Sequence, residues 1–199
     1  MSLLCKILNL GHDCSDPDYD WWQMKTWYPL KWPVRSLVRN TRELAGDGDS
    51  VLSLGCGSSP LINMFHSRVV GVDINGGKID FLKKRTTAEL YKMDLTKMEP
   101  IGQFDIVLLT DVIEHVGYGN VDTVLSLVSR SLKSPGKAVI ATADMGNPLG
   151  YLFEKLLNKK IHCSLLFGSD LVERCRKYGL ILVGKKSWLW DTAYLFAKE

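Results

Sequence analysis

The apolar run Val51-Leu52-Ser53-Leu54 breaks abruptly into Gly55-Cys56-Gly57-Ser58-Ser59-Pro60, and a second run, Val69-Val70-Gly71-Val72, ends on Asp73. Nothing else in the chain constrains its fold as tightly. Gly55 and Gly57 lack a Cβ, so the backbone between them can turn sharply and lie against a ligand. A helix starting near Pro60 needs no N–H at its first position and turns its free N–H groups toward the same place. A carboxylate at the tip of the neighbouring strand can accept hydrogen bonds from a ribose diol. The pattern predicts an adenosine-cofactor site at the ends of two adjacent parallel strands.

Two classes of protein use such a site, and position 60 separates them. The dinucleotide fingerprint G-x-G-x-x-G needs a third glycine where this chain has Pro60, which leaves a nicotinamide dehydrogenase as a distant reading. The loop V-L-S-L-G-C-G-S-S-P instead resembles motif I of the class I S-adenosylmethionine (SAM)-dependent methyltransferases. Ser53 stands where that motif usually has an acid, and Ser59 where it has a third glycine. In the family the acid helps hold the cofactor's amino-acid end.

Composition keeps the chain among ordinary globular proteins. Of 199 residues, 46% are hydrophobic and 24% charged, and the formal net charge of +3 is too mild to imply nucleic acid. The five cysteines are odd in number and form no C-x-x-C pair, which points to a reducing compartment without structural zinc. The apolar start Met1–Leu8 is interrupted by Lys6, too short for a membrane span and without a cleavage pattern. A cytoplasmic location is the expectation.

Residues 1–45 read as an N-terminal aromatic arm followed by a helix opened by Pro33, whose apolar positions Val34, Leu37, Val38 and Leu44 share one face. From residue 46 to 199 the elements alternate in βα order. Strands are expected at Val51–Leu54, Val69–Asp73, Glu89–Met93, Phe104–Leu109 and Lys137–Thr142, with Ser134-Pro135-Gly136 as the turn into the last. Helices are expected at Pro60–His66, Lys78–Lys84, after Asn120, and at Asp170–Tyr178, with Asp170 as a cap and Gly179 as a stop. Leu180–Lys186 and Ala193–Ala197 are joined too tightly for a crossover and suit an antiparallel pair. Pattern alone gives an open α/β sheet. The resemblance implies a Rossmann-like, mostly parallel seven-stranded sheet with a terminal antiparallel strand and helices on both faces. An insertion at about 143–168 interrupts the alternation, and a connection that long is usually functional.

The stretch Phe104-Asp105-Ile106-Val107-Leu108-Leu109-Thr110-Asp111-Val112-Ile113-Glu114-His115-Val116 resembles the F-D-x-V…E-H pattern of ubiquinone-biosynthesis-like small-molecule methyltransferases. It lacks the N-P-P-Y signature of enzymes that methylate exocyclic nucleobase nitrogens. The resemblance implies SAM as cofactor, S-adenosylhomocysteine as product, and no metal. Gly55, Cys56, Gly57 and Ser58 would cradle the methionine part, Asp73 the ribose with Ile74 beside it, and Asp94 with Leu95 the adenine. Thr110, Asp111 and Val112 would line the floor near the donated methyl. Asp73 and Asp94 have a local alternative as caps of the turns that follow them.

His115 is a candidate general base, because imidazole titrates near neutrality, and Asp111 is a weaker catalytic candidate. The competing role for His115 is to shape the pocket, and Glu114 reads as structural. Six aromatics crowd residues 19–32 (Tyr19, Trp21, Trp22, Trp27, Tyr28, Trp32), and they fit either an arm packed on the sheet or a lid over the acceptor. Trp27, Tyr28, Tyr151 and His162 are the acceptor-side candidates beside His115. Asp16, Asp18 and Asp20 imitate half a calcium loop, but Trp21 and Trp27 occupy its glycine and glutamate positions.

The function expected is methyl transfer from SAM to an oxygen or nitrogen of a small molecule. The loop and the Tyr19–Trp22 segment also resemble protein lysine and N-terminal amine methyltransferases, which is the enzyme alternative. A non-catalytic SAM-binding partner module is the alternative from another class.

Overall fold

The computed structural model describes residues 15–25, 32–153, 162–188 and 191–199. Seven strands form one sheet: β1 (Ser50–Leu54), β2 (Arg68–Asp73), β3 (Glu89–Lys92), β4 (Phe104–Thr110), β5 (Leu132–Ala143), β6 (Leu180–Trp188) and β7 (Asp191–Lys198). Their spatial order is β3-β2-β1-β4-β5-β7-β6. β1 through β5 run parallel, and β7 runs antiparallel to both β5 and β6. The Rossmann-like sheet with a terminal antiparallel strand is therefore present. β1 lies between β2 and β4, with Leu54 level with Val72 on one side and Leu109 on the other. That register brings the C-terminal ends of three strands together, the usual ligand edge of an open α/β sheet.

Helices cover both faces. On one face lie α2 (Trp32–Ala45), a 3-10 turn (Pro60–Met64) and α3 (Gly76–Lys83), which bury Leu37, Val38, Leu61, Ile79 and Leu82 against Val51, Ile106 and Val139. On the other, α4 (Val121–Arg130) and α6 (Gly168–Arg176) bury Val124, Leu125, Val128, Leu171 and Cys175 against Val107, Ala138 and Phe196. Burial pushes the Cys175 thiol up to about 12, as for an inert core cysteine. Two short helices complete the order, α1 (Tyr19–Lys25) in the aromatic segment and α5 (Pro148–Phe153) in the insertion.

Four local differences from the sequence reading have simple causes. α3 begins at Gly76 because the Asn75 side chain caps it, accepting from the N–H groups of Gly77 (3.0 Å) and Lys78 (3.3 Å). α6 begins at Gly168, so Asp170 lies in its first turn rather than at its cap. β5 starts at Leu132, already paired with Phe104, and the Ser134-Pro135-Gly136 segment bulges inside it before pairing resumes at Lys137. The Pro60 segment is a 3-10 turn ending at Met64. Ser59 begins that turn in extended conformation (φ −69°), its hydroxyl accepting from the Leu61 N–H, so no glycine is required there.

Candidate active site

The glycine loop is closed by strand β2. Cys56 N–H donates to the Val72 carbonyl (2.9 Å), which continues the β1–β2 ladder two residues past Leu54. Gly57 N–H donates to Asp73 Oδ2 (2.8 Å), and Asp73 Oδ1 accepts from the Asn75 N–H (2.8 Å). Asp73 therefore caps its own turn and also ties the loop to β2. The capping role weighed in the sequence is present, and it is joined by a bond to the glycine loop.

Both glycines take the left-handed conformation, with φ +69° at Gly55 and +54° at Gly57. A Cβ at Gly55 would lie 2.3 Å from Val112 Cγ2, and one at Gly57 would lie 2.3 Å from Asp20 Oδ2. Glycine is required at both positions because Val112 and Asp20 pack directly against the loop. Cys56 is buried beneath it, and burial first, then the nearby Asp73 carboxylate, pushes its thiol well up. It serves as packing, not as a nucleophile. Ile74, directly after Asp73, is 63% exposed, an apolar face presented at the strand tip.

The next strand tip is more self-contained. Met93 N–H donates to the Asp73 carbonyl (3.0 Å), which sets Asp94 at the strand tip next to that of Asp73. Asp94 Oδ1 accepts from the Thr96 hydroxyl (2.7 Å) and N–H (2.9 Å), and Oδ2 lies 3.3 Å from Lys97 Nζ. These contacts, the Thr96 hydroxyl foremost, hold the Asp94 carboxyl below its ordinary range. Leu95 is buried behind it.

At the end of β4 the backbone is strained. Asp111 is an exposed non-glycine residue at φ +52°, with its N–H fixed to the Ala141 carbonyl (2.9 Å). That kink drives Val112 against Gly55. The Thr110 hydroxyl oxygen is buried without a hydrogen-bond partner among the described residues, a group that a bound ligand or water would satisfy. The orphaned Thr110 hydroxyl at the end of β4 and the exposed Ile74 after β2, on either side of the glycine loop, fit an adenosine cofactor.

His115 and His162 meet edge-to-face, with ring centroids 4.7 Å apart. The backbone brings them together: Cys163 and Ser164 N–H groups donate to the Glu114 carbonyl (2.8 and 3.0 Å). Glu114 itself is 2% exposed and accepts from the Thr142 hydroxyl through Oε2 (3.0 Å). One ligand atom from each of Glu114, His115 and His162 lies within 4.8 Å of the others. Sequence reading assigned no metal ligand, yet these residue types at this spacing could share one cation. The E-H pair was visible, but its approach to His162 was not.

The insertion is tied at its base. Asp144 Oδ1 accepts from the Gly168 N–H (3.0 Å), Asp144 Oδ2 accepts from the Tyr194 hydroxyl (2.7 Å), and Met145 N–H donates to the Leu166 carbonyl (3.2 Å). Beside this clamp a cleft of about 880 Å³ opens between Phe167, Val172, Leu182 and Tyr194. It contains no residue of the glycine loop, so it lies apart from the cofactor cradle. Tyr151 is exposed on α5, while Trp27 and Tyr28 lie outside the described residues. On the arm, Trp21 packs edge-on to Phe81 of α3 (6.0 Å), which places α1 against the cofactor side of the sheet.

Comparison with known proteins agrees with this geometry. Residues 52–140 match the family described as "Methyltransferase domain". A ubiquinone biosynthesis O-methyltransferase of Rhodopseudomonas palustris is 31% identical over 117 residues, 54% of this chain and 46% of the relative. The chain thus spans about half the length of the curated relatives it matches. Among solved structures, the N-methyltransferase NodS of Bradyrhizobium japonicum, in complex with S-adenosylhomocysteine, superimposes with a TM-score of 0.68. Its identity is 13%, covering 96% of this chain and 95% of that one. A SAM-dependent methyltransferase of Thermotoga maritima, described as a possible histamine N-methyltransferase, gives a TM-score of 0.70 at 17% identity, covering 83% and 88%.

The fold is the one these SAM-dependent methyltransferases share, and the central residues 52–140 match the methyltransferase-domain family. Its sequence is similar to ubiquinone biosynthesis O-methyltransferases over part of their length.

Proposed function

We propose that the protein transfers a methyl group from SAM to an oxygen or nitrogen of a small-molecule acceptor. The observation that carries this reading is the junction of glycine loop, Asp73 and Ile74 at the β1 and β2 tips. The cofactor brings an already activated sulfonium methyl, so the protein's work is positioning and exclusion of water. Gly55, Cys56, Gly57 and Ser58 hold the methionine part. Asp73 accepts the ribose hydroxyls, releasing the Gly57 or Asn75 N–H as it does so. Ile74 and Leu95 flank the adenine, with Asp94 reaching its amino group once its bonds to Thr96 loosen.

Thr110, Asp111 and Val112 form the floor, and the acceptor lies between Asp111–His115, the aromatic arm and the insertion with Tyr151 and His162. His115 faces this space beside His162, where it can receive a proton from the acceptor or simply shape the pocket. We place the reaction in the cytoplasm; no described helix is long and apolar enough to cross a membrane.

Calorimetric titration with SAM, S-adenosylhomocysteine and NAD tests the reading. Binding of the first two without NAD is expected. Absence of both would overturn it, and binding without turnover across a panel of catechols, phenols and amines would favour a non-catalytic partner module.

A further inference from the structure

Ser53 leaves the end of β1 without a carboxylate, and the structure brings one in from elsewhere. Asp20 of α1 lies on the glycine loop. Its Oδ2 accepts from the Ser58 N–H (2.7 Å), the Ser58 hydroxyl (3.1 Å) and Lys78 Nζ (2.9 Å). Asp20 N–H in turn lies 3.0 Å from the Ser58 oxygen, so loop and arm are joined through one serine that is fully buried. The carboxylate rests on the face of the loop that Gly57 keeps open, where a Cβ would come within 2.3 Å of Oδ2 and 3.8 Å of Lys78 Nζ. The three bonds to the carboxylate converge on Oδ2. Oδ1 accepts none among the described residues.

One oxygen anchored three ways and the other left open is the arrangement of a carboxylate set to receive a cation. The nearby Asp73 is committed to the loop and the ribose position. We propose that Asp20 supplies, from the arm, the acid that position 53 lacks: its Oδ1 accepts the α-ammonium of the cofactor's amino-acid end. Ser58 and Lys78 fix the carboxylate for that contact. The proposal rests on the SAM reading above. It makes cofactor binding and docking of the aromatic arm one event, because the same side chain does both.

The test compares S-adenosylhomocysteine with 5′-methylthioadenosine, which keeps the adenosine and thioether but has no amino-acid end. Calorimetry on the wild-type chain and on Asp20→Asn is expected to show about a tenfold or greater loss for S-adenosylhomocysteine. Affinity for 5′-methylthioadenosine should stay within about twofold, and Asp20→Ala should deepen the selective loss. Unchanged thermal melting would show that the fold survives. Equal losses for the two ligands would reduce Asp20 to an arm anchor, and a gain for S-adenosylhomocysteine would make it a competitor for the site; either overturns the proposal. Failure of the wild-type chain to bind either ligand would instead overturn the SAM reading, and this assignment with it.

Discussion

The two halves of the site are built in different ways. The proposed cofactor half is shaped mainly by backbone: Cys56 N–H on the Val72 carbonyl, Gly57 N–H on the Asp73 carboxylate, and two glycines at positive φ, all on the consecutive units β1 and β2. The proposed acceptor half is made by side chains carried on distant segments, with His115, in the turn after β4, meeting His162 from the far end of the insertion. A backbone-built site is rigid and general, as suits a cofactor shared across a class. A side-chain-built site can change its acceptor without disturbing the sheet.

Variants can break this division or sharpen it. Asp73→Ala should have the largest effect. It removes the ribose acceptor and the partner of two N–H groups, so S-adenosylhomocysteine affinity should fall by about 100-fold or more in calorimetry; unchanged affinity would refute the ribose assignment. Gly55→Ala puts a Cβ into Val112 at a left-handed residue. It should destabilise the fold by about 1–3 kcal/mol in chemical denaturation, and cofactor affinity should fall with it.

On the other side, His115→Ala and His162→Ala should leave S-adenosylhomocysteine affinity within about twofold. A pocket-shaping His115 predicts a turnover loss below about tenfold, whereas loss of a general base would cost about 100-fold or more and alter the pH profile. Chelation should likewise spare cofactor affinity. A fall in turnover on chelation, restored by magnesium or manganese, would assign the Glu114–His115–His162 cluster a cation and end the expectation of metal-free chemistry.

The smallest effect lies at the opposite edge of the sheet. There the Ser50 hydroxyl, with Lys133 next, holds the Asp105 carboxyl below its ordinary range. Its folded pKa is thus lower than its unfolded one, so the stabilisation is complete above the unfolded value and disappears as pH falls through the folded one. Asp105→Asn should cost only about 0.5 kcal/mol at neutral pH, should flatten the acid limb of the stability curve, and should leave both halves of the site untouched.

The same division explains what could be read from the sequence. Strand runs such as Phe104–Leu109, the loop Gly55–Ser58 and Asp73 were legible because each is a local pattern whose meaning depends on its immediate neighbours. The tight connection between the last two strands was enough to reverse β7. Start points were less legible wherever a single side chain set them, as Asn75 does for α3. The three-residue cluster at Glu114 was beyond reach, because residues 115 and 162 lie far apart in sequence and meet through the folding of the segment around Cys163 onto Glu114. Asp20 was visible as a residue but not as a partner of Ser58. Nothing in an acidic, aromatic segment says which loop it will cover. Trp27 and Tyr28 lie outside the described residues.

The clamp of Asp144 on Gly168 and Tyr194 has a consequence for how such a chain can change. With its two ends held together, the segment between them is a closed loop whose length costs the sheet little, since closure entropy grows only slowly with added residues. Changes of sequence or length between Gly146 and His162 should therefore leave β5 and β7 paired, and would alter the proposed acceptor wall without touching the glycine loop.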